Sequence, residues 1–200
     1  EFNEIIEKED TILIDMRNSY ESEVGKFRTA ICPTSNRSKD LINEAKEILK
    51  GKENYNIAMY CTGGIRCEKA SSHLIKKGFK NVFQLNGGIV EYSHQVKKQK
   101  IESKFIGKNF VFDDRLGERV TEDIIANCHL CNNKSDNHTN CKNDACHLLF
   151  IICNDCDKKL LGCCSLECKE IYQLPIEDQR KIRKQFSKRF KNKFRPRVQP

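Results

Sequence analysis

Asn56-Ile57-Ala58-Met59-Tyr60-Cys61-Thr62-Gly63-Gly64-Ile65-Arg66 is the stretch on which the fold turns. Its first five residues form an apolar run without polar alternation, the pattern of a short strand covered on both faces. A helical pattern follows from Arg66 to Lys77 and stops at Gly78. The residues from Cys61 to Arg66 therefore join the C-terminal end of a strand to the N-terminus of a helix. In open α/β sheets ligands bind at that edge, where the N–H groups of a Gly-containing turn and the helix dipole favour an anion. A thiol there loses its proton more readily. Gly63 and Gly64 let the backbone curl around the sulfur, and Arg66 adds a fixed positive charge. Cys61 is thus the candidate catalytic nucleophile, with Thr62, Gly63, Gly64, Ile65 and Arg66 as its loop. The bland alternative is a small buried hydrophobe at a strand end.

Outward from the loop, the same alternation of strand and helix recurs. Phe2, Ile5 and Ile6 share a helical face within residues 1–9, and Thr11-Ile12-Leu13-Ile14 reads as a buried strand ending at Asp15. Residues 37–50 place Leu41, Ile42, Ala45, Ile48 and Leu49 at helical spacing before Gly51. Asn81-Val82-Phe83-Gln84-Leu85 is a third strand, closed by Asn86-Gly87-Gly88, and Phe110-Val111-Phe112 reads as a further short one. Strand, helix and strand at βαβ spacing imply an α/β fold with a parallel sheet flanked by helices. Asp15 and Arg17 fall at the same sheet edge as Cys61, as an internal ion pair or as substrate contacts. Cys67 lies on the first helical turn, as core packing or as a resolving thiol for Cys61.

Nine of the twelve cysteines fall between Cys128 and Cys168. They form the pairs Cys128-x2-Cys131, Cys141-x4-Cys146, Cys153-x2-Cys156 and Cys164-x3-Cys168, with Cys163 left over. Four chelating pairs would fill two tetrahedral sites, so one or two structural zinc ions are expected. A redox relay and an iron–sulfur cluster are the alternatives. Consecutive pairing and a cross-brace of first with third and second with fourth both remain open at this point. The expected organisation is a domain over 1–100, a connecting segment over 101–126, the Cys-rich module over 127–170 and a basic amphipathic helix and tail over 171–200.

The formal charge of +8 is concentrated in the tail: residues 180–200 hold ten Lys/Arg and no Asp/Glu, leaving −2 for the rest. Ile182, Phe186, Phe190 and Phe194 form an apolar stripe among these charges. A polyanion partner fits such a block, with Arg183, Lys184, Lys188, Arg189, Lys191 and Lys193 as candidate RNA contacts; solvated charges around a packed stripe, or an amphipathic helix on a membrane surface, are the alternatives. No run approaches the ~18 apolar residues of a membrane helix, and no export signal is evident, so a cytoplasmic protein is expected.

Three segments carry a family resemblance. Ile12-Leu13-Ile14-Asp15-Met16-Arg17-Asn18 with Glu21 and Gly25, the Cys61–Arg66 loop, and Gly78-Phe79-Lys80-Asn81-Val82-Phe83-Gln84-Leu85-Asn86-Gly87-Gly88 resemble the rhodanese-like domains in order. In that superfamily a six-residue loop suits sulfur, whereas the related phosphatases carry Cys-x5-Arg. Gly25-Lys26-Phe27 departs from the frequent Gly-His-Ile. The run 110–119, Cys128-His129-Leu130-Cys131 and the run 138–151 are similar to the rhodanese-domain tRNA uridine hydroxylases in particular.

That resemblance implies oxygen-dependent 5-hydroxylation of the wobble uridine in tRNA, with Cys61 as the persulfide-forming or catalytic cysteine. It also implies molecular oxygen as co-substrate, an unidentified electron donor, and a first strand and a further domain preceding residue 1; the residues themselves show no dinucleotide-type glycine fingerprint, so no organic cofactor is evident. Two other functions compete: a sulfurtransferase working through a Cys61 persulfide, and a non-catalytic, zinc-stabilised RNA-binding protein.

Overall fold

The computed structural model describes residues 1–35 and 37–189, with the backbone alone for residues 38 and 186–189. It divides into two units, Glu1–Ile124 and Ile125 onward. The first contains α1 (Phe2–Ile6), β1 (Thr11–Asp15), α2 (Ser19–Glu23), β2 (Gly25–Phe27), α3 (Ser38–Ile48), β3 (Asn56–Tyr60), α4 (Ile65–Lys76), β4 (Asn81–Gln84), α5 (Gly88–Gln99), β5 (Phe105–Asn109) and β6 (Glu118–Arg119). The second contains β7 (His138–Asn140), β8 (Leu149–Ile151), α6 (Asn154–Leu160), α7 (Leu166–Gln173) and α8 (Ile176–Arg189).

The main sheet has the order β1-β3-β4, all parallel, with Ile14 opposite Met59 and Asp15 opposite Tyr60. Its two faces bury different side chains. Ile14, Ile57 and Met59 pack with Leu41, Leu49 and Leu74 on one side. Leu13, Ala58 and Tyr60 pack with Phe27, Ile89 and Phe105 on the other. Burial on both faces is why β1 and β3 read as unbroken apolar runs. The strands expected over 11–15, 56–60 and 81–85 and the helices expected over 37–50 and 66–77 are present within two residues of their expected ends, whereas the first helix, expected within residues 1–9, stops at Ile6.

Phe110-Val111-Phe112 is not a strand. The strand lies just before it, at β5, antiparallel to β2 with Gly25 opposite Gly107. The two glycines are what allow this pairing: a Cβ on Gly107 would stand 2.3 Å from the Val24 carbonyl oxygen, and one on Gly25 2.3 Å from that of Lys108. Phe110 and Phe112 instead meet edge to face at 5.3 Å, with Phe110 against Tyr20 at 5.2 Å. The segment expected as a connection thus supplies two strands, β5 and β6, to the first unit.

The second unit has little apolar interior. Its main cluster is Phe150 and Ile152 with Cys128, Cys141 and Cys163, Ile151 and Ala126 are buried beside them in the chain, and neither α6 nor α7 buries a residue fully. So small a core does not ordinarily hold a domain of this size without staples. The hairpin of β7 and β8, with Thr139 opposite Phe150, frames the cysteine pairs.

Candidate active site and thiol clusters

β1 and β3 end side by side, and the Met16 N–H donates to the Tyr60 carbonyl at 2.9 Å. Cys61 follows at the C-terminal edge of the central strand, 1% exposed. Gly64, with φ +94°, is the N-cap of α4. No L side chain takes that conformation readily, and it turns the Gly64 N–H onto the Cys61 sulfur at 3.1 Å. The carbonyls of the loop are held from behind by α5. Ile89 N–H donates to the Cys61 oxygen at 3.0 Å and Val90 N–H to the Thr62 oxygen at 3.2 Å. A Cβ on Gly88 would stand 2.6 and 2.5 Å from those two oxygens. Asn86-Gly87-Gly88 is therefore part of the site: α5 draws the loop's carbonyls outward, which leaves its N–H groups facing the sulfur.

The Cys61 thiol is lowered to about 5. Hydrogen bonding from the Cys67 thiol contributes most and, with the backbone N–H groups of Cys67 and Arg66 and the Arg66 charge, outweighs the burial that opposes it. Cys67 is pushed up by the same contact and stays protonated. The helix N-terminus decides which member of the pair carries the charge, because its N–H groups converge on Cys61. The first unit therefore presents a thiolate at neutral pH, with Cys67 as its donor.

Arg66 is anchored rather than extended toward a ligand. Its terminal nitrogens donate to the Glu21 carboxylate at 2.7 and 2.8 Å, and one also reaches the Thr62 hydroxyl at 3.1 Å. Thr62 donates in turn to Glu21 at 3.1 Å. Glu21, wholly buried, is the residue that reading the sequence for chemistry missed. A signal was available in Asn18-Ser19-Tyr20-Glu21, whose Asn and Glu form a capping box at α2. The Arg66 partnership itself spans 45 residues and leaves no local mark.

Asp15 and Arg17 form an internal pair at 2.6 Å, both side chains fully buried. Arg17 also donates to the Gly25 carbonyl at 2.7 Å, and the Tyr60 hydroxyl donates to Asp15 at 2.7 Å. Burial disfavours the Arg17 charge, and Asp15 more than offsets it. With its hydrogen bonds directed inward, the pair ties β1, β2 and β3 together beneath the loop.

In the second unit the cysteines gather into two sets, Cys128, Cys131, Cys153 and Cys156, and Cys141, Cys146, Cys164 and Cys168. This is the cross-braced pairing, first with third and second with fourth. Within each set the sulfurs lie within 4.8 Å of one another. The Cys131–Cys153, Cys146–Cys164 and Cys164–Cys168 separations are 3.5, 3.7 and 3.7 Å. Four thiolates at roughly 2.3 Å from one tetrahedral ion stand roughly 3.8 Å apart, so each set fits a metal ion. N–H groups point at these sulfurs, among them those of Cys164 to Cys141 at 3.5 Å and of the Asn143 side chain to Cys168 at 3.3 Å. Cys163 is buried outside both sets.

Of the candidate RNA contacts, Arg183 pairs with Asp144 at 3.2 Å, both largely exposed, and Lys184 lies exposed on α8. Lys188 and Arg189 belong to α8 by backbone, while Lys191 and Lys193, like Phe190 and Phe194, lie outside the described residues. No helix among the described residues is long and apolar enough to cross a membrane.

Residues 1–95 match the family model for the rhodanese-like domain, and residues 106–169 match one described as rhodanase C-terminal. A tRNA uridine(34) hydroxylase of Yersinia enterocolitica is 54% identical over 89% of this chain and 51% of its own length. One of Leptospira interrogans is 50% identical over 99% of this chain and 55% of its own. The chain spans about half the length of the curated relatives it matches. Among solved structures, the Rhodanese_3 like domain of an Anabaena protein aligns with 42% of this chain and 92% of that one, at 22% identity and a TM-score of 0.36.

Proposed function

We propose that this chain, a homologue of the tRNA uridine(34) hydroxylases built on a rhodanese-like domain, serves the oxygen-dependent 5-hydroxylation of the wobble uridine in tRNA, with Cys61 as the catalytic cysteine. The observation that carries this reading is the Cys61 thiolate, held by backbone N–H groups and Cys67 in a chain half identical to proteins of that name. A thiolate is a soft nucleophile matched to C6 of a uracil ring. Formation of the S–C6 bond moves electron density onto C5, which then attacks an electrophilic oxygen. Loss of the C5 proton and departure of the thiolate restore the ring. One oxygen atom goes to C5 and the other leaves as water, using two electrons and two protons from an external donor. Bonds from the loop N–H groups stabilise the sulfur both before addition and as it departs.

In this reading the two thiol sets each hold a structural zinc ion. Four thiolates close the coordination sphere, so the metal would order the second unit and offer no open position for chemistry. The basic residues of α8 and beyond engage tRNA phosphates, with affinity that falls as salt rises, and the protein acts in the cytoplasm, where its substrate is. The test is nucleoside mass spectrometry of tRNA from a deletion strain complemented with wild type or Cys61→Ala. Loss of 5-hydroxyuridine with the variant is expected, and full restoration by it overturns the reading.

A second reading, sulfur transfer through a Cys61 persulfide, is favoured by one feature: the short loop directs N–H groups at the sulfur without the extra residue of the phosphatase loop. Turnover of a Cys61 persulfide with release of a thiolated acceptor, and unchanged tRNA nucleosides in the deletion strain, would establish it instead.

A further inference from the structure

Phe112 is 67% exposed yet held on two sides. Phe110 meets its edge at 5.3 Å and 82°, and the Arg66 guanidinium lies 6.0 Å from its ring centre. With its terminal nitrogens taken up by Glu21 and Thr62, Arg66 has little freedom to turn toward an outside anion, and its guanidinium carbon lies over the Phe112 ring. Ile65, next to Arg66 on the first turn of α4, is 72% exposed. Together with Met16, Ile42 and Lys69 it lines a small apolar pocket beside the loop.

Single exposed apolar side chains are ordinary. Here, however, of the two most exposed large hydrophobic side chains among the described residues of the first unit, Phe112 lies at the Arg66 guanidinium and Ile65 is the neighbour of Arg66 in the chain and lines the same small pocket. That guanidinium belongs to the loop that holds the thiolate. A fixed ring with one open face, an aliphatic chain and a lysine at the edge is the chemistry that takes up an unpaired base and its phosphate. Stacking of a base on an aromatic side chain is tolerant of sequence, and an enzyme acting on a ring atom has to take that ring out of its own stack.

We infer that Phe112, backed by Arg66, and Ile65 form a clamp that receives one unpaired pyrimidine base of RNA at the mouth of the Cys61 site, with Lys69 on the adjoining phosphate. The inference rests on the tRNA reading above and names the residues that hold its base. Phe112 contacts the substrate in this arrangement, and Arg66 positions Phe112.

The test is binding of anticodon stem-loop RNAs, with uridine or an abasic site at the wobble position, to the full chain as wild type, Phe112→Ala and Phe112→Trp. Wild type is expected to prefer the uridine RNA by about tenfold, the low-to-middle range for one stacked base. Phe112→Ala removes that preference without changing affinity for the abasic RNA, and Phe112→Trp keeps it. Retention of the full preference by Phe112→Ala overturns the clamp, and so does equal binding of both RNAs by wild type. The hydroxylation reading fails separately: if Cys61→Ala still forms 5-hydroxyuridine, the base preference of wild type and its loss in Phe112→Ala remain readable.

Discussion

Cys61 and the clustered cysteines of the second unit are one kind of side chain in opposite surroundings. The first unit has an extensive apolar interior on both faces of its sheet, in which Cys61 is one small member among many. In the second unit Cys128 and Cys141 are themselves part of a small cluster whose fully buried aliphatic and aromatic members are Phe150 and Ile152. The difference teaches that what surrounds a cysteine decides what it is suited to: N–H donors on an apolar scaffold suit a nucleophile, and other thiols in a thin core suit a staple.

The sharpest way to break this contrast is to remove one thiol from a set. If each set holds zinc as proposed, Cys128→Ala leaves three ligands where four are needed, and such a metal contributes on the order of 10–16 kcal/mol to folding in small zinc modules. The expected outcome is loss of ordered structure in residues 125–189 and of one bound metal per chain, while the first unit keeps its own. Limited proteolysis and metal analysis read both. A second unit that stays protease-resistant with one metal fewer would show that its apolar core suffices.

A smaller effect is expected in the first unit, where a buried carboxylate supports the loop. Glu21→Ala strands the Arg66 guanidinium and the Thr62 hydroxyl together. Breaking a buried pair costs about 3–5 kcal/mol, and the partial exposure of Arg66 places this case toward the low end. Thermal unfolding should fall by several degrees, with 5-hydroxyuridine formation reduced because the loop has lost its brace. Unchanged activity in Glu21→Ala would make Glu21 a feature of stability only.

How much of this was legible depended on distance along the chain. The Cys61 loop was readable because strand, turn and helix are contiguous, and its environment follows from that order. The eight candidate ligands were readable from their spacing, but their partition into two sets was not, since it depends on how the β7–β8 hairpin brings Cys128-x2-Cys131 to Cys153-x2-Cys156. Glu21 escaped because its partner is 45 residues away. Phe110-Val111-Phe112 looked like a strand because local apolarity cannot show that Gly25 and Gly107 permit a close antiparallel pairing just upstream.

Gly88→Ala tests whether the loop is shaped from behind. The added methyl would meet the Cys61 and Thr62 carbonyl oxygens at 2.6 and 2.5 Å, at φ +64°. Strain of this kind costs about 1–3 kcal/mol. The loop is expected to shift away from α5, with a modest fall in melting temperature and a higher Cys61 pKa, both measurable on the purified chain. An unaltered thiol titration would mean that the Gly64 and α4 donors hold the sulfur without help from α5.

The finest adjustment is Cys67→Ala. The Cys61 thiol stands at about 5 in the folded protein, against about 8.5 for a free thiol. The folded state therefore binds fewer protons than the unfolded chain between those values, so the thiolate's contribution to stability is complete above about pH 8.5 and is lost as the pH falls through about 5. Cys67 is the largest contributor to that depression. A hydrogen bond to a charged group is worth about 1.5–3 kcal/mol, so removing it should raise the Cys61 titration by about one to two pH units. Cys67→Ser, which keeps a donor, should restore much of the shift, a rescue that a purely packing role for Cys67 would not produce. Ultraviolet thiolate absorbance reads the titration once the same curve from a Cys61→Ser partner of each protein is subtracted. An inflection that stays near 5 in Cys67→Ala would assign the thiolate to the backbone N–H groups and Arg66 alone. In that case only the helix N-terminus, and no second thiol, distinguishes Cys61 from the cysteines of the second unit.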